Sequence, residues 1–275
     1  MRGQMRTLTL LSTLAGLMLP ALVMAAPNPA KLQLQSSSAL VMEVGTGKTL
    51  YQKNATSRRP IASLTKLMTA LVVLDARQDL NQTLTVDSND RDAIKHTYSR
   101  VRMGTKISRR DALHLALMSS ENRMASALSR HYPGGRAAFV RAMNAKAKQL
   151  GMRNSRFHDA TGLSSSNVST AQDLAKLIAA AYRQPLIRQF TQDSDEEMRF
   201  AVPGYSLHFN NTNPLVKNPD WDVRLSKTGF TNEAGRCLLM RAKPDNKELA
   251  IVLLNSFGKR TPIGDANRIR KWLKT

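Results

Sequence analysis

Two polar side chains stand where an otherwise apolar helix begins. In the stretch from Pro60 to Asp75, P-I-A-S-L-T-K-L-M-T-A-L-V-V-L-D, residues Leu64, Leu67, Met68, Leu71, Val72, Val73 and Leu74 leave almost no polar face. A helix there is expected to be buried on all sides. Ser63 and Lys66 share one face of its first turn, at i, i+3 spacing. A hydroxyl beside an amine at the mouth of a buried helix is costly unless both are used or paired. Used, they are a serine nucleophile and a lysine base. Paired, they are a capping Ser and a snorkelling Lys, and on this stretch alone that plainer reading is the more economical. S-x-x-K also recurs at Ser256 to Lys259, where no buried helix follows. Two more short patterns carry related groups: Ser120-Glu121-Asn122 and Lys227-Thr228-Gly229. S-x-N recurs at Ser165 to Asn167, whereas K-T-G occurs once.

The elements around these patterns follow from periodicity. Ala39 to Val44 and Lys48 to Gln52 read as a hairpin about Gly45-Thr46-Gly47. Asn81 to Val86 reads as a short strand, and Ser108 with Asp111 as a capping box opening a helix through Met118. Ser120-Glu121-Asn122 then falls on a break before a helix over Asn122 to Tyr132, which Pro133-Gly134-Gly135 stops. Arg136 to Leu150 is a further helix, and Ser169 with Gln172 caps another that runs to Arg183. After it the period changes. Met198 to Val202, Ser206 to Phe209 and Val223 to Ser226 are short strands, and Lys227-Thr228-Gly229 ends the last of them. Arg236 to Arg241 and Leu249 to Asn255 form a hairpin about Pro244-Asp245-Asn246, and Thr261-Pro262 begins a terminal helix to Leu273. An α+β fold fits this order: one sheet built from both chain ends, with a mainly helical block inserted between them.

The totals narrow the setting. The 275 residues suffice for one large domain, expected over residues 38–275. A net charge of +21 predicts anionic surroundings, but only 5% aromatics and no zinc-finger spacing argue against a nucleic-acid module. Met1 to Ala25 reads as a secretory signal peptide: Arg2 and Arg6, an apolar run from Leu8 to Leu19, Pro20, then Val23-Met24-Ala25. Its removal lowers the charge to +19, and no cysteine follows to carry a lipid. The mature protein is therefore expected to be secreted, with no stable membrane anchor. Residues 26–37, rich in Pro, Gln and Ser, read as a flexible leader. Cys237, the single cysteine, is expected to be a buried thiol without chemistry. G-T-G-K-T at Gly45 to Thr49 fails as a phosphate loop, because position 42 is Met42 and a strand follows. The five histidines have no paired ligand spacing, so no metal or other cofactor is expected, and His158-Asp159 reads as structural.

Taken in order and each on a suitable element, Ser63-x-x-Lys66, Ser120-x-Asn122 and Lys227-Thr228-Gly229 resemble the penicillin-binding protein and serine β-lactamase superfamily. The closer likeness is to the D-alanyl-D-alanine carboxypeptidase and endopeptidase family, the low-mass penicillin-binding proteins. It rests on A-S-L-T-K-L-M-T-A, on M-N-A-K-A-K-Q-L-G-M from Met143, and on S-K-T-G-F-T-N-E-A-G-R-C-L from Ser226. The resemblance covers essentially the whole mature chain and is nearest to the soluble periplasmic endopeptidases. It implies a β-lactamase/transpeptidase-like α+β fold and a serine DD-peptidase acting on peptidoglycan peptide stems, with β-lactam antibiotics as inhibitors. It also implies roles for single residues. Ser63 is the nucleophile, Lys66 the base, and Ser120 a relay to the leaving amine. Asn122, Lys227, Thr228, Gly229 and Phe230 bind substrate, with the N–H groups of Ser63 and Phe230 as oxyanion donors. For Lys66 to act as base its pKa must fall from ~10.4 to near 7, a cost of about 4–5 kcal/mol, through burial and the charge of Lys227.

Three rivals are set against this reading. A β-lactamase needs an efficient deacylation base, yet no glutamate lies between Arg153 and Phe190. A non-catalytic wall-binding protein has no reason to keep an amine beside Ser63. A basic nucleic-acid binder does not need a signal peptide. The motifs do not separate endopeptidase from carboxypeptidase, because both substrates place a carboxylate beside the scissile amide.

Overall fold

The computed structural model describes residues 27–275; the expected signal peptide, Met1 to Ala25, lies outside the described residues. In chain order, β1 (Ser38–Glu43), β2 (Thr49–Lys53) and β3 (Arg59–Pro60) lead to one 3-10 turn, Ala62–Leu64, that runs directly into α1 (Thr65–Asp75). The inserted block holds β4 (Thr83–Thr85), β5 (Lys106–Ser108), α2 (Arg109–Met118), α3 (Asn122–Arg130) and α4 (Gly135–Gln149). It continues through β6 (Val168–Ser169), α5 (Ala171–Tyr182), α6 (Pro185–Gln192), β7 (Asp195–Phe200) and β8 (Tyr205–Asn210). The chain closes with β9 (Val223–Thr231), β10 (Gly235–Ala242), β11 (Leu249–Ser256) and α7 (Thr261–Trp272).

Both chain ends meet in one antiparallel sheet of order β2-β1-β11-β10-β9. The reason is legible in β11. Its L-A-I-V-L-L run is apolar at every position, so both of its faces must be covered, and it lies at the centre of the sheet. Ala250, Val252 and Leu254 pack with the inserted helices, while Leu249, Ile251 and Leu253 pack with Ala266, Ile269 and Trp272 of α7. α1 is buried all round within the helical layer, as its sequence predicts.

Several boundaries differ from the sequence reading. Ser63 belongs to the 3-10 turn and not to the helix proper. Lys227-Thr228-Gly229 lies inside β9, which runs on to Thr231 because it pairs with β10 along its whole length. The cap of α5 is Thr170, whose side chain accepts from Asp173 N, one residue beyond the expected Ser169 and Gln172. The helix α6 was not anticipated: Pro185 stops one helix and also occupies the first turn of the next. β7 and β8 pair only with each other, apart from the five-stranded sheet.

The segment expected as a flexible leader makes packing and hydrogen-bond contacts with the fold over residues 28–37. Leu32 and Leu34 are buried in the core beneath α7, and Trp272 Nε1 donates to Asn28 O at 2.8 Å. Asp265, fully buried, accepts from Gln35 N at 3.0 Å, from Ser36 N at 2.7 Å and from Ser36 Oγ at 2.6 Å. The Pro, Gln and Ser content suggested a loose segment. Two alternating leucines and a buried carboxylate at the other end of the chain hold it down.

Candidate active site

The nucleophile's turn is the most constrained backbone in the site. Ala62 has φ +46°, a left-handed conformation that a residue with a Cβ adopts at a cost. Gly162, φ +85°, lies so close that a Cβ there would meet Ala62 O at 2.0 Å. From the other side, a Cβ on Gly229 would come within 2.9 Å of Ser63 N and 3.1 Å of Ile61 O. Two glycines thus let a loop and the outer strand β9 close on the turn that presents Ser63. The resemblance places Gly229 among the substrate-binding residues; its missing side chain also makes room for Ser63.

Lys66 is 1% exposed, and its amine has three partners: Ser63 Oγ at 2.9 Å, Asn122 Oδ1 at 2.7 Å and Thr161 O at 2.7 Å. Two of these are carbonyl oxygens, which only accept. A neutral amine has two N–H groups and one lone pair. With both N–H groups spent on the carbonyls, the lone pair is left for the Ser63 hydroxyl to donate into. Burial pulls the Lys66 pKa down from 10.5 to about 7, against the opposing charges of Asp159, Glu121 and Asp92.

Lys227, also 1% exposed, donates to Thr228 O at 3.1 Å and is pushed well below the ordinary lysine range by burial and by the charge of Lys66. The sequence reading assigned part of the lowering of Lys66 to Lys227. Repulsion between the two buried amines acts on both, but carboxylates offset it at Lys66 and none does at Lys227.

Ser63, Ser120, Asn122, Thr228, Gly229 and Phe230 line one cleft of about 470 Å³. Lys66 reaches it through Ser63 and Asn122, and Lys227 adjoins it through Thr228. Ser120, on the link between α2 and α3, has φ +62°. All eight sequence-selected residues therefore belong to a single cleft or its wall. Thr228 Oγ1 is bonded to Thr212 Oγ1 at 2.6 Å, and Phe230 is half-exposed at the rim.

Three contributors were missed. Thr161 supplies a carbonyl to Lys66, and Asp159 builds the loop that aims it: Asp159 Oδ1 accepts from Thr161 N at 2.6 Å and Gly162 N at 2.7 Å, and Oδ2 from Ser164 N at 3.0 Å. Thr97 accepts from Asn122 Nδ2 at 3.1 Å and donates to Asp92 Oδ2 at 2.7 Å, which fixes the amide with its oxygen toward Lys66. A D-x-T-G sequence at Asp159 to Gly162 is a turn signal, but nothing local says that its carbonyl meets an amine 95 residues away. His158-Asp159, read as structural, has that part. Asn167 of the second S-x-N binds Thr65 Oγ1 and accepts from His158 N, again holding this loop. Cys237 is buried, and burial pushes its thiol up to about 11, so it stays protonated.

This fold, with a serine, a buried lysine of lowered pKa and a K-T-G strand around one cleft, defines a serine DD-peptidase of the penicillin-binding class. The family profile described as D-alanyl-D-alanine carboxypeptidase matches residues 23–258, and the chain belongs to that family. It is 50% identical over 251 residues to the D-alanyl-D-alanine endopeptidase of Escherichia coli, covering 91% of this chain and 81% of that one. It is 48% identical to the protein of that name from Pseudomonas aeruginosa, over 98% of this chain and 89% of that one. Among solved structures, a Streptomyces DD-transpeptidase superposes with TM-score 0.81 at 28% identity, covering 89% of this chain and 98% of that one. A Listeria monocytogenes penicillin-binding protein in its ampicillin-bound form gives TM-score 0.75 at 29% identity, with 89% and 99% covered. No helix among the described residues is long and apolar enough to cross a membrane.

Proposed function

We propose that the protein is a periplasmic endopeptidase that opens D-alanyl cross-links in peptidoglycan through an acyl-enzyme at Ser63. The observation that carries this reading is the hold of Asn122 Oδ1 and Thr161 O on Lys66 Nζ, which in the neutral amine leaves the lone pair for Ser63 Oγ, 2.9 Å away. Ser63 Oγ attacks the D-alanyl carbonyl carbon while its proton passes to Lys66. The N–H groups of Ser63 and Phe230 receive the oxyanion, and one such donor is worth roughly 3–4 kcal/mol. The amide C–N bond then breaks. Ser120 passes the proton from Lys66 to the leaving amine, and water later cleaves the ester with Lys66 again as base.

Asn122 holds Lys66 and meets the substrate amide, while Lys227 and Thr228 hold the carboxylate next to the scissile bond. That carboxylate gives Lys227 the counter-charge it lacks and favours its charged form, and a charged Lys227 in turn favours a neutral Lys66 at the step that needs a base. In a cross-link to diaminopimelate the leaving D-centre carries this carboxylate, as a penicillin does beside its strained amide. The endopeptidase names of the relatives sharing about half their residues favour cross-links over terminal D-alanine. The signal peptide and the excess of basic residues suit a periplasmic enzyme on an acidic mesh.

Two measurements test the proposal. A fluorescent penicillin is expected to label the wild type and not Ser63→Ala. Digestion of cross-linked muropeptides beside uncross-linked pentapeptides is expected to release monomers with little free D-alanine. Dominant D-alanine release would make the protein a carboxypeptidase, and a folded wild type that takes no penicillin label would leave it a wall-binding module.

A further inference from the structure

We propose that Arg236, Lys259 and Arg260 form a second anion subsite, which receives carboxylates of the stem peptide released from a cross-link. The inference rests on the endopeptidase reading and specifies what that site selects. The cleft does not end at the K-T-G strand. It continues past Thr228 and Phe230 to Arg236 on β10 and to Lys259 and Arg260 on the β11–α7 connection. Its floor is the β9–β10 pair, where Phe230 is opposite Arg236 and Thr228 is opposite Leu238. The Arg236 guanidinium stands 4.4 Å from the Phe230 ring centroid, at the edge of the space beside Ser63.

Charge sets this groove apart from its surroundings. No aspartate or glutamate lines it. Arg241, Arg268 and Arg270 are each paired, with Glu248, Asp265 and Asp220. Lys259 and Arg260, by contrast, are exposed cations inside an acid-free wall shared with Arg236. Like charges gathered along a groove focus a positive potential into it and raise the local concentration of anions.

The leaving group supplies the anions. Once Lys227 and Thr228 hold the carboxylate next to the scissile amide, the groove beyond Thr228 is on the leaving side. Free D-alanine has one carboxylate and no further atoms to extend into it. The leaving half of a cross-link is a stem peptide with additional free carboxylates, and its path over Phe230 brings them to the three cations. The subsite thus rewards cross-links over terminal D-alanine by a contact that only the longer leaving group makes.

The test compares kcat/KM on a cross-linked muropeptide dimer with the rate of acylation by fluorescent penicillin, taken as a ratio. The double variant Lys259→Gln with Arg260→Gln keeps the Arg236–Phe230 stack. Its ratio is expected to fall about tenfold, the size expected of two or three rim ion pairs. Wild type on a dimer whose acceptor-stem carboxylates are amidated, sparing the one beside the scissile amide, is expected to lose a similar factor, and the variant, which keeps only Arg236, a smaller one. Raising the salt to about 0.5 M is expected to erode the wild-type advantage. If the variant fails to fold, the amidated dimer on wild type decides alone. Wild type that cuts both dimers equally well, or a folded variant with an unchanged ratio, overturns the subsite and leaves the endopeptidase standing. Wild type that leaves dimers intact while releasing D-alanine overturns both.

Discussion

Lys66 is where this protein's chemistry and its stability pull against each other. Bringing a lysine from 10.5 to about 7 costs about 5 kcal/mol in the folded state. Below pH 7 the amine is charged in both the folded and unfolded chain, and the folded state carries the whole penalty. Between about 7 and 10.5 the unfolded chain binds the extra proton, so stability rises with pH across that window. Lys66→Met is expected to flatten that slope, measurable as denaturant midpoints between pH 7 and 10. Activity follows the same group: penicillin acylation is expected to rise with pH along an acid limb near 7. Asp159 is the first of the charges holding the Lys66 pKa up, so Asp159→Asn is expected to move that limb to lower pH. Lys66→Arg is expected to lower acylation at least ~10³-fold, because a guanidinium stays charged at any accessible pH.

Between elements, the site depends on backbones that approach more closely than side chains allow. The Asp159–Ser164 loop and β9 converge on the Ala62–Leu64 turn, and each arrives at a glycine. Gly162→Ala would place a Cβ 2.0 Å from Ala62 O and force a left-handed φ on a residue with a side chain. The expected result is a loss of about 1–3 kcal/mol in stability together with most penicillin labelling, read by thermal unfolding and gel fluorescence. Retained labelling would show that the turn adjusts without the loop. The element boundaries that the sequence misplaced belong to the same scale. Lys227-Thr228-Gly229 read as the end of a short strand, yet pairing with β10 carries β9 through to Thr231. The helix expected to run to Arg183 is followed directly by another, which Pro185 opens.

Across the whole molecule, one buried carboxylate clamps the two chain ends together. Asp265 on α7 gathers Gln35 and Ser36, and Ser36 Oγ also lies 2.7 Å from Ser256 Oγ. Removing the acceptor leaves buried donors without partners, so Asp265→Ala is expected to cost about 2–4 kcal/mol. Its penicillin labelling at low temperature is expected to survive, since Asp265 packs beneath the opposite face of the sheet from α1. Loss of labelling in still-folded protein would mean that the clamp also positions the site.

The sequence by itself determined the reactive groups and the layers that carry them. Ser63 and Lys66 are three residues apart at the start of a mainly apolar helical run, and the doubly apolar β11 run requires a covered central strand, so both follow from local spacing. It also contained Ser120, Asn122 and Lys227, but their coming together was an inference from resemblance. Only the tertiary structure decided how the amine is made a base. Its neutrality comes from burial, and its direction comes from Thr161 O and Asn122 Oδ1, contributed from 95 and 56 residues away. Desolvation and hydrogen-bond geometry are properties of what surrounds a group, and no periodicity within a single segment contains them.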